Sequence, residues 1–259
     1  MKKLFAVLLS AAMLVSMAGC GAGTDGKALY DEATKKNAEL TSMDFTYHVD
    51  MVMKQGDQSM DMSTDMDMKM DGINTDSMRM ISEGTTSTAG QNVDTFMYYE
   101  NGYCYMETGG QKFKYAMAIE EMSKAALQSV GGANMESSYM QKVEVKKDGD
   151  NQVLTFVGDA SKMDEYVQTM MGAMGTMGAG MEGLSYTIKE VSGEATVNSD
   201  GYISSMKMKM VIEMTMQGET VSVDMDITGD YHNLGQPVEI TAPADLDSYQ
   251  EIDASQLGL

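Results

Sequence analysis

The chain has 259 residues with 39 Asp and Glu against 18 Lys and Arg, a formal net charge of −21. Such a surface repels phosphate backbones and anionic lipid headgroups, which excludes nucleic acid as a partner and leaves no basic patch to hold a membrane. The two cysteines provide no disulfide framework, methionine reaches 31 residues and tryptophan is absent, so stability must come from a plastic, thioether-rich core and the backbone ladder.

Met1, Lys2 and Lys3 form a charged start, and Leu4 to Val15 is an apolar run too short to span a bilayer. Ser16-Met17-Ala18-Gly19-Cys20 then closes it with small residues before a cysteine. The pattern resembles a bacterial lipoprotein signal, with Met17 where an aliphatic residue is usual. The resemblance implies a signal peptide over 1–19, cleavage after Gly19, and acylation (palmitate-type) of Cys20. The chain would then be held by its acyl chains on the extracytoplasmic face of the cell membrane. An ordinary secretory signal cut nearby is the alternative. Residues 20–26 read as a lipidated tether whose glycines span about 20 Å at most.

Lys27 to Leu40 reads as a helix, and the period then changes to two. Met43, Phe45, Tyr47, Val49, Met51 and Met53 alternate with Asp44, Thr46, His48 and Asp50. Met60 to Met70 repeats the pattern, with Met60, Met62, Met66, Met68 and Met70 on one face and Asp61, Ser63, Asp65, Asp67 and Lys69 on the other. This alternation predicts strands with one wet and one buried face. Further strands are expected over Thr75–Ser82, Val93–Glu100, Tyr103–Thr108 and Gln111–Tyr115, with hairpin turns at Asn101-Gly102 and Gly109-Gly110. A helix follows from Ala116 to Val130, stopped by Gly131-Gly132. Strands Lys142–Lys147 and Gln152–Val157 flank Asp148-Gly149-Asp150, and a helix runs from about Lys162 to Met171.

Met170 to Met181 is a Met/Gly stretch whose glycines each weaken a helix by about 1 kcal/mol. Strands Ser185–Asn198, Tyr202–Met216 and Thr220–Tyr231 follow, then an extended piece, Val238–Thr241. The fold class expected is α+β: one strongly curved antiparallel half-barrel sheet of about eleven strands, with helices covering its concave face. Residues 27–250 form a single domain in this reading, with a closed barrel as the alternative.

The lipobox, the short helix, the Tyr98–Tyr105 hairpin ahead of Lys112-Phe113-Lys114, and Asp230-Tyr231-His232-Asn233 before Pro237 and Pro243 together resemble Gram-positive lipoproteins of the LolA/LppX/LprG-like superfamily. The resemblance implies a β half-barrel with helices over its concave side and, in some members, a cavity for acyl chains. It implies no catalytic residue.

Three roles follow. The first is a non-enzymatic module that holds or carries an apolar, lipid-like ligand on Phe45, Tyr47, Met51, Met66, Met68, Met208, Met210 and Met214. The second is an envelope lipoprotein with a structural or protein-interaction role and no ligand. The third is a methionine-based sink for Cu(I) or oxidant, since thioethers are soft, oxidisable ligands. Met at every second position is also what a one-sided strand produces. No cofactor and no dedicated metal site is expected. His48 and His232 stand far apart in sequence, no catalytic motif appears, and Asp61, Asp65 and Asp67 lack a calcium-loop spacing. Cys104 reads as a packed small hydrophobe.

Overall fold

The computed structural model describes residues 25–73, 75–123, 135–163, 165–166, 185–216 and 219–254. The expected signal peptide, Cys20 and most of the expected tether lie outside them. So do the later parts of the helices expected over 116–130 and 162–171, the Met170–Met181 stretch, and Gln217-Gly218.

Helix α1 (Gly26–Ala38) opens the described chain. Asp25 caps it by accepting from the Lys27 and Ala28 amides, and Lys35 and Lys36 sit in its last turn, where cations favour the helix C-terminus. Six strands follow: β1 (Ser42–Gln55), β2 (Gln58–Asp71), β3 (Arg79–Thr88), β4 (Gln91–Glu100), β5 (Tyr103–Thr108) and β6 (Gln111–Ala116). After a stretch in which residues 119–123 are helical come β7 (Met140–Asp148), β8 (Asn151–Gly158), β9 (Ser185–Val197), β10 (Ile203–Met216) and β11 (Glu219–His232). The short strand β12 (Gln250–Glu251) ends the sheet.

Among the described residues, twelve strands lie in one open, curved sheet with the order β12-β6-β5-β4-β3-β2-β1-β11-β10-β9-β8-β7. Two antiparallel meanders, β1–β6 and β7–β11, are joined where β1 pairs antiparallel with β11, from Asp44↔His232 to Lys54↔Ser222. Every pairing is antiparallel except that of β12 with β6. Asn101 and Gly102 turn the β4–β5 hairpin with φ of 52° and 79°, the left-handed pair that a two-residue hairpin turn requires.

One expectation is corrected. The strand expected over Thr75–Ser82 begins four residues late, because Thr75 and Met78 are taken up in a turn, their amides bonding to Gly72 and Thr75 carbonyls. The extended piece at Val238–Thr241 pairs with no strand. Val238 and Ile240 instead pack with Tyr98 on the outer face of the sheet, beside Ile81, Phe96, Tyr105 and Leu246. The chain end is strapped down further by Tyr249, edge-on to Tyr105 at 5.5 Å, and by Lys112, 2.7 Å from Asp245 and 3.1 Å from Glu107.

The main core lies on the opposite, inner face. Tyr30, Ala33 and Asn37 of α1 are buried against it, with the Tyr30 ring edge-on to Phe156. Asn37 donates through Nδ2 to the Ile203 carbonyl and accepts through Oδ1 from the Ile203 amide, both at 2.9 Å. One buried side chain thus fastens the end of α1 to the start of β10. Met122 and Met135 are buried in the same core, and Ser123 Oγ lies 3.0 Å from Met78 Sδ. Cys104 is buried there too, and desolvation raises its thiol pKa.

Candidate ligand-binding face

Alternation along each strand and register between strands together decide which side chains share a surface. Phe45 opposes Met68 and Tyr231; Tyr47 opposes Met66 and Gly229; Met51 opposes Met62 and Met225; Met210 opposes Met225. Met208 opposes Ile227, which opposes Val49, and Met214 opposes Val221. All eight candidate lining residues therefore stand on the inner face. Phe45, Met68, Met208 and Met210 are at most 3% exposed. Tyr47, Met51, Met66 and Met214 are half-buried.

Burial is uneven along this face. α1 packs on β7, β9 and β10. Toward the β1–β2 and β10–β11 turns, cover thins: Met51, Met53, Met62, Met214 and Met225 are half-buried, and Met60 is 43% exposed. An apolar face thus passes continuously from a closed core to a partly open end.

The closed part contains polar atoms that sequence reasoning missed. Tyr166 Oη is buried without a hydrogen-bond partner among the described residues. Burial first, and then the nearby Tyr139 and Tyr47 hydroxyls, push its pKa up to about 12. Tyr30 Oη and Thr34 Oγ1 lie close together, yet neither makes a hydrogen bond of standard geometry, and burial raises the Tyr30 pKa strongly. An unmet buried hydroxyl costs about 1–3 kcal/mol, so such groups call for a partner. Which helix positions turn inward depends on docking, and no local signal marks these three.

The outer face carries the acidic residues. His48 lies 2.7 Å from Asp65 Oδ1 through Nδ1 and 3.1 Å from Asp50 Oδ2 through Nε2. His232 Nε2 lies 2.6 Å from Thr46 Oγ1. Among the described residues, no three His, Cys, Asp or Glu side chains are grouped to hold a metal ion. The depressions that open on this face, such as that of Asp44, Thr46, Asp67, Lys69, Glu83 and His232, are lined mainly by polar side chains.

The hydrogen bond to Asp65, then that to Asp50, raises the His48 pKa. A raised pKa means the protonated histidine stabilises the hairpin fully below the unfolded value of about 6.5, and this contribution is lost as pH rises through the folded value. Because the pair is exposed, the effect on stability is small and salt-sensitive. Titration followed by NMR should place the His48 midpoint above 6.5 and move it down in Asp65→Asn. A midpoint unmoved by that substitution would show that the Asp65 contact does not persist in solution.

Residues 25–250 match the model of DUF6612, a family of unknown function. No curated protein matches the chain. Among solved structures it is similar to LprF from Mycobacterium bovis, at 12% identity and a TM-score of 0.40, covering 86% of this chain and 100% of that one. It is also similar to lipovitellin, at 9% identity and 0.38, covering 78% of this chain but 26% of that one. A LolA superfamily protein from Nitrosomonas europaea matches at 9% identity and 0.22, covering 85% and 96%. Likenesses this distant transfer no ligand and no residue role.

Proposed function

For this chain, which belongs to DUF6612, we propose the holding or passing-on of an apolar, lipid-like ligand close to a membrane. The observation that carries this reading is the inner face itself. It is a continuous surface of thioether and aromatic side chains, closed at one end under α1 and half-open at the turn end. In this reading α1 and the segment around residues 119–123 cover the concave side of the sheet. Phe45, Tyr47, Met66, Met68, Met208 and Met210 line the interior, with Met51 and Met214 nearer its mouth. Methionine suits such a surface because its unbranched side chain repacks around ligands of varied shape.

The unmet hydroxyls of Tyr30, Thr34 and Tyr166 give the ligand a second property: it carries oxygen acceptors. An apolar body with a few oxygens is the composition of an acyl ester. Among the described residues no helix is long and apolar enough to cross a membrane. In this proposal the leader directs export and is removed, and a lipid on Cys20 then holds the domain on the extracytoplasmic face. The role is binding rather than catalysis.

Native mass spectrometry of residues 21–259, expressed without the anchor and followed by organic extraction, tests the proposal. A discrete lipid-sized adduct lost on extraction is expected. A clean protein mass with no uptake from added lipid mixtures would overturn it and favour a structural or protein-interaction role.

A further inference from the structure

One rung of the inner face differs from its neighbours. Reading across β2, β1, β11 and β10, the directly opposed residues are Met62, Met51, Met225 and Met210. Adjacent rungs are mixed: Thr64, Val49, Ile227 and Met208 on one side, and Met60, Met53, Val223 and Ile212 on the other. Branched residues therefore suit this surface, and only here do four thioethers stand abreast. Met210 is buried, whereas Met51, Met62 and Met225 are half-buried near the open end of the sheet.

We propose that Met51, Met62 and Met225, backed by Met210, form a binding site for one Cu(I) ion. Directly opposed side chains have Cβ atoms about 5 Å apart, so Met51 stands between two thioethers within reach of a common point above the rung. Three rotatable bonds let each sulfur turn toward that point without moving the backbone. Neutral, polarisable sulfur selects a soft monovalent cation over Mg²⁺, Ca²⁺ or Zn²⁺. The reverse of the sheet carries Asp50, the residue before Met51 on β1, with Asp226 opposite it, and Asp61 and the Lys54-paired Asp224 opposite Val52. Their negative field raises the local cation concentration without supplying a ligand.

Thioethers carry no proton to displace, which separates this site from one built of histidine or cysteine. Anaerobic Cu(I) titration of the whole mature chain, against a chromophoric competing chelator, should show one equivalent retained with the same affinity at pH 5.5 and 7.5. X-ray absorption of the loaded protein should show a sulfur-only shell. The combined variant Met51→Leu, Met62→Leu, Met225→Leu keeps an apolar surface of similar volume and should lose the bound equivalent. Met78→Leu, at a buried methionine elsewhere in the core, should retain it. No copper held by the wild type against the competitor, or equal retention by the triple variant, would overturn the proposal. A binding curve that weakens steeply at the lower pH would reassign the metal to protonatable ligands and overturn it as well. The copper titration is read without added lipid and the lipid adduct without added copper, so the copper and lipid readings fail separately.

Discussion

Gly193→Val should destabilise the protein by about 3 kcal/mol, at the upper end of what overpacking a core costs. Gly193 lies in β9 directly opposite Phe156 of β8, and the Phe156 ring lies across the space where a side chain would begin. A Cβ there would sit 2.3 Å from Phe156 Cζ and 2.6 Å from the Lys207 carbonyl oxygen of β10. The ring cannot simply turn away, because Phe156 is buried and its other side meets Tyr30 of α1. Displacing it would push α1 off the sheet. A Cβ on Gly229 of β11 would likewise sit 2.9 Å from the Phe45 ring. Urea unfolding of Gly193→Ala, alone and with Phe156→Leu, would separate the two obstacles. The alanine should cost less in the leucine background, with the remainder due to the Lys207 carbonyl, which no side-chain change removes. Equal cost in both backgrounds would show that the ring is not the constraint.

Asn37→Leu should cost about 3 kcal/mol, since it strands the amide and the carbonyl of Ile203 in the core, each unmet group costing about 1–3 kcal/mol. Asn37→Asp keeps an acceptor for the Ile203 amide but sets a second oxygen against the Ile203 carbonyl, so it should also destabilise. Hydrogen exchange at the Ile203 amide and through α1 should accelerate together in both variants. Since α1 packs on β7, β9 and β10, the leucine variant should, under the proposed lipid-binding role, also release the apolar ligand faster. Loss of stability without faster exchange in α1 would show that Asn37 is not the fastening point.

Much of the sheet is legible locally. Strict alternation in Met43–Met53 and Met60–Met70 marks strands because one face is buried and the other wet, and Asn101-Gly102 marks a turn because few residue pairs accept its backbone angles. The eight candidate residues share a face for the same reason. The strand of Arg79–Thr88 is harder to place: its start depends on a turn that consumes Thr75 and Met78, and its later half is a mixture of Thr, Ser and Gly with weak alternation. β12 is two residues long and exists because β6 offers an open edge, which no local pattern announces. The pairing of β1 with β11 joins segments far apart in sequence, so the four-methionine rung emerges only once that register is set. The unmet hydroxyls of Tyr30, Thr34 and Tyr166 likewise depend on how the helices dock.

The β1–β11 seam also has a consequence for synthesis. Residues 42–116 form a meander of neighbouring hairpins and can pair as soon as they emerge, because each ladder closes a short loop. β1 then waits with one edge unpaired until β11 is made, more than 160 residues after β1 ends. During that interval a fourteen-residue strand presents open backbone and a methionine-lined face. This is the period of greatest exposure to self-association. Chains halted before Glu219 should therefore aggregate, whereas completion of β11 removes the open edge in a single zippering step.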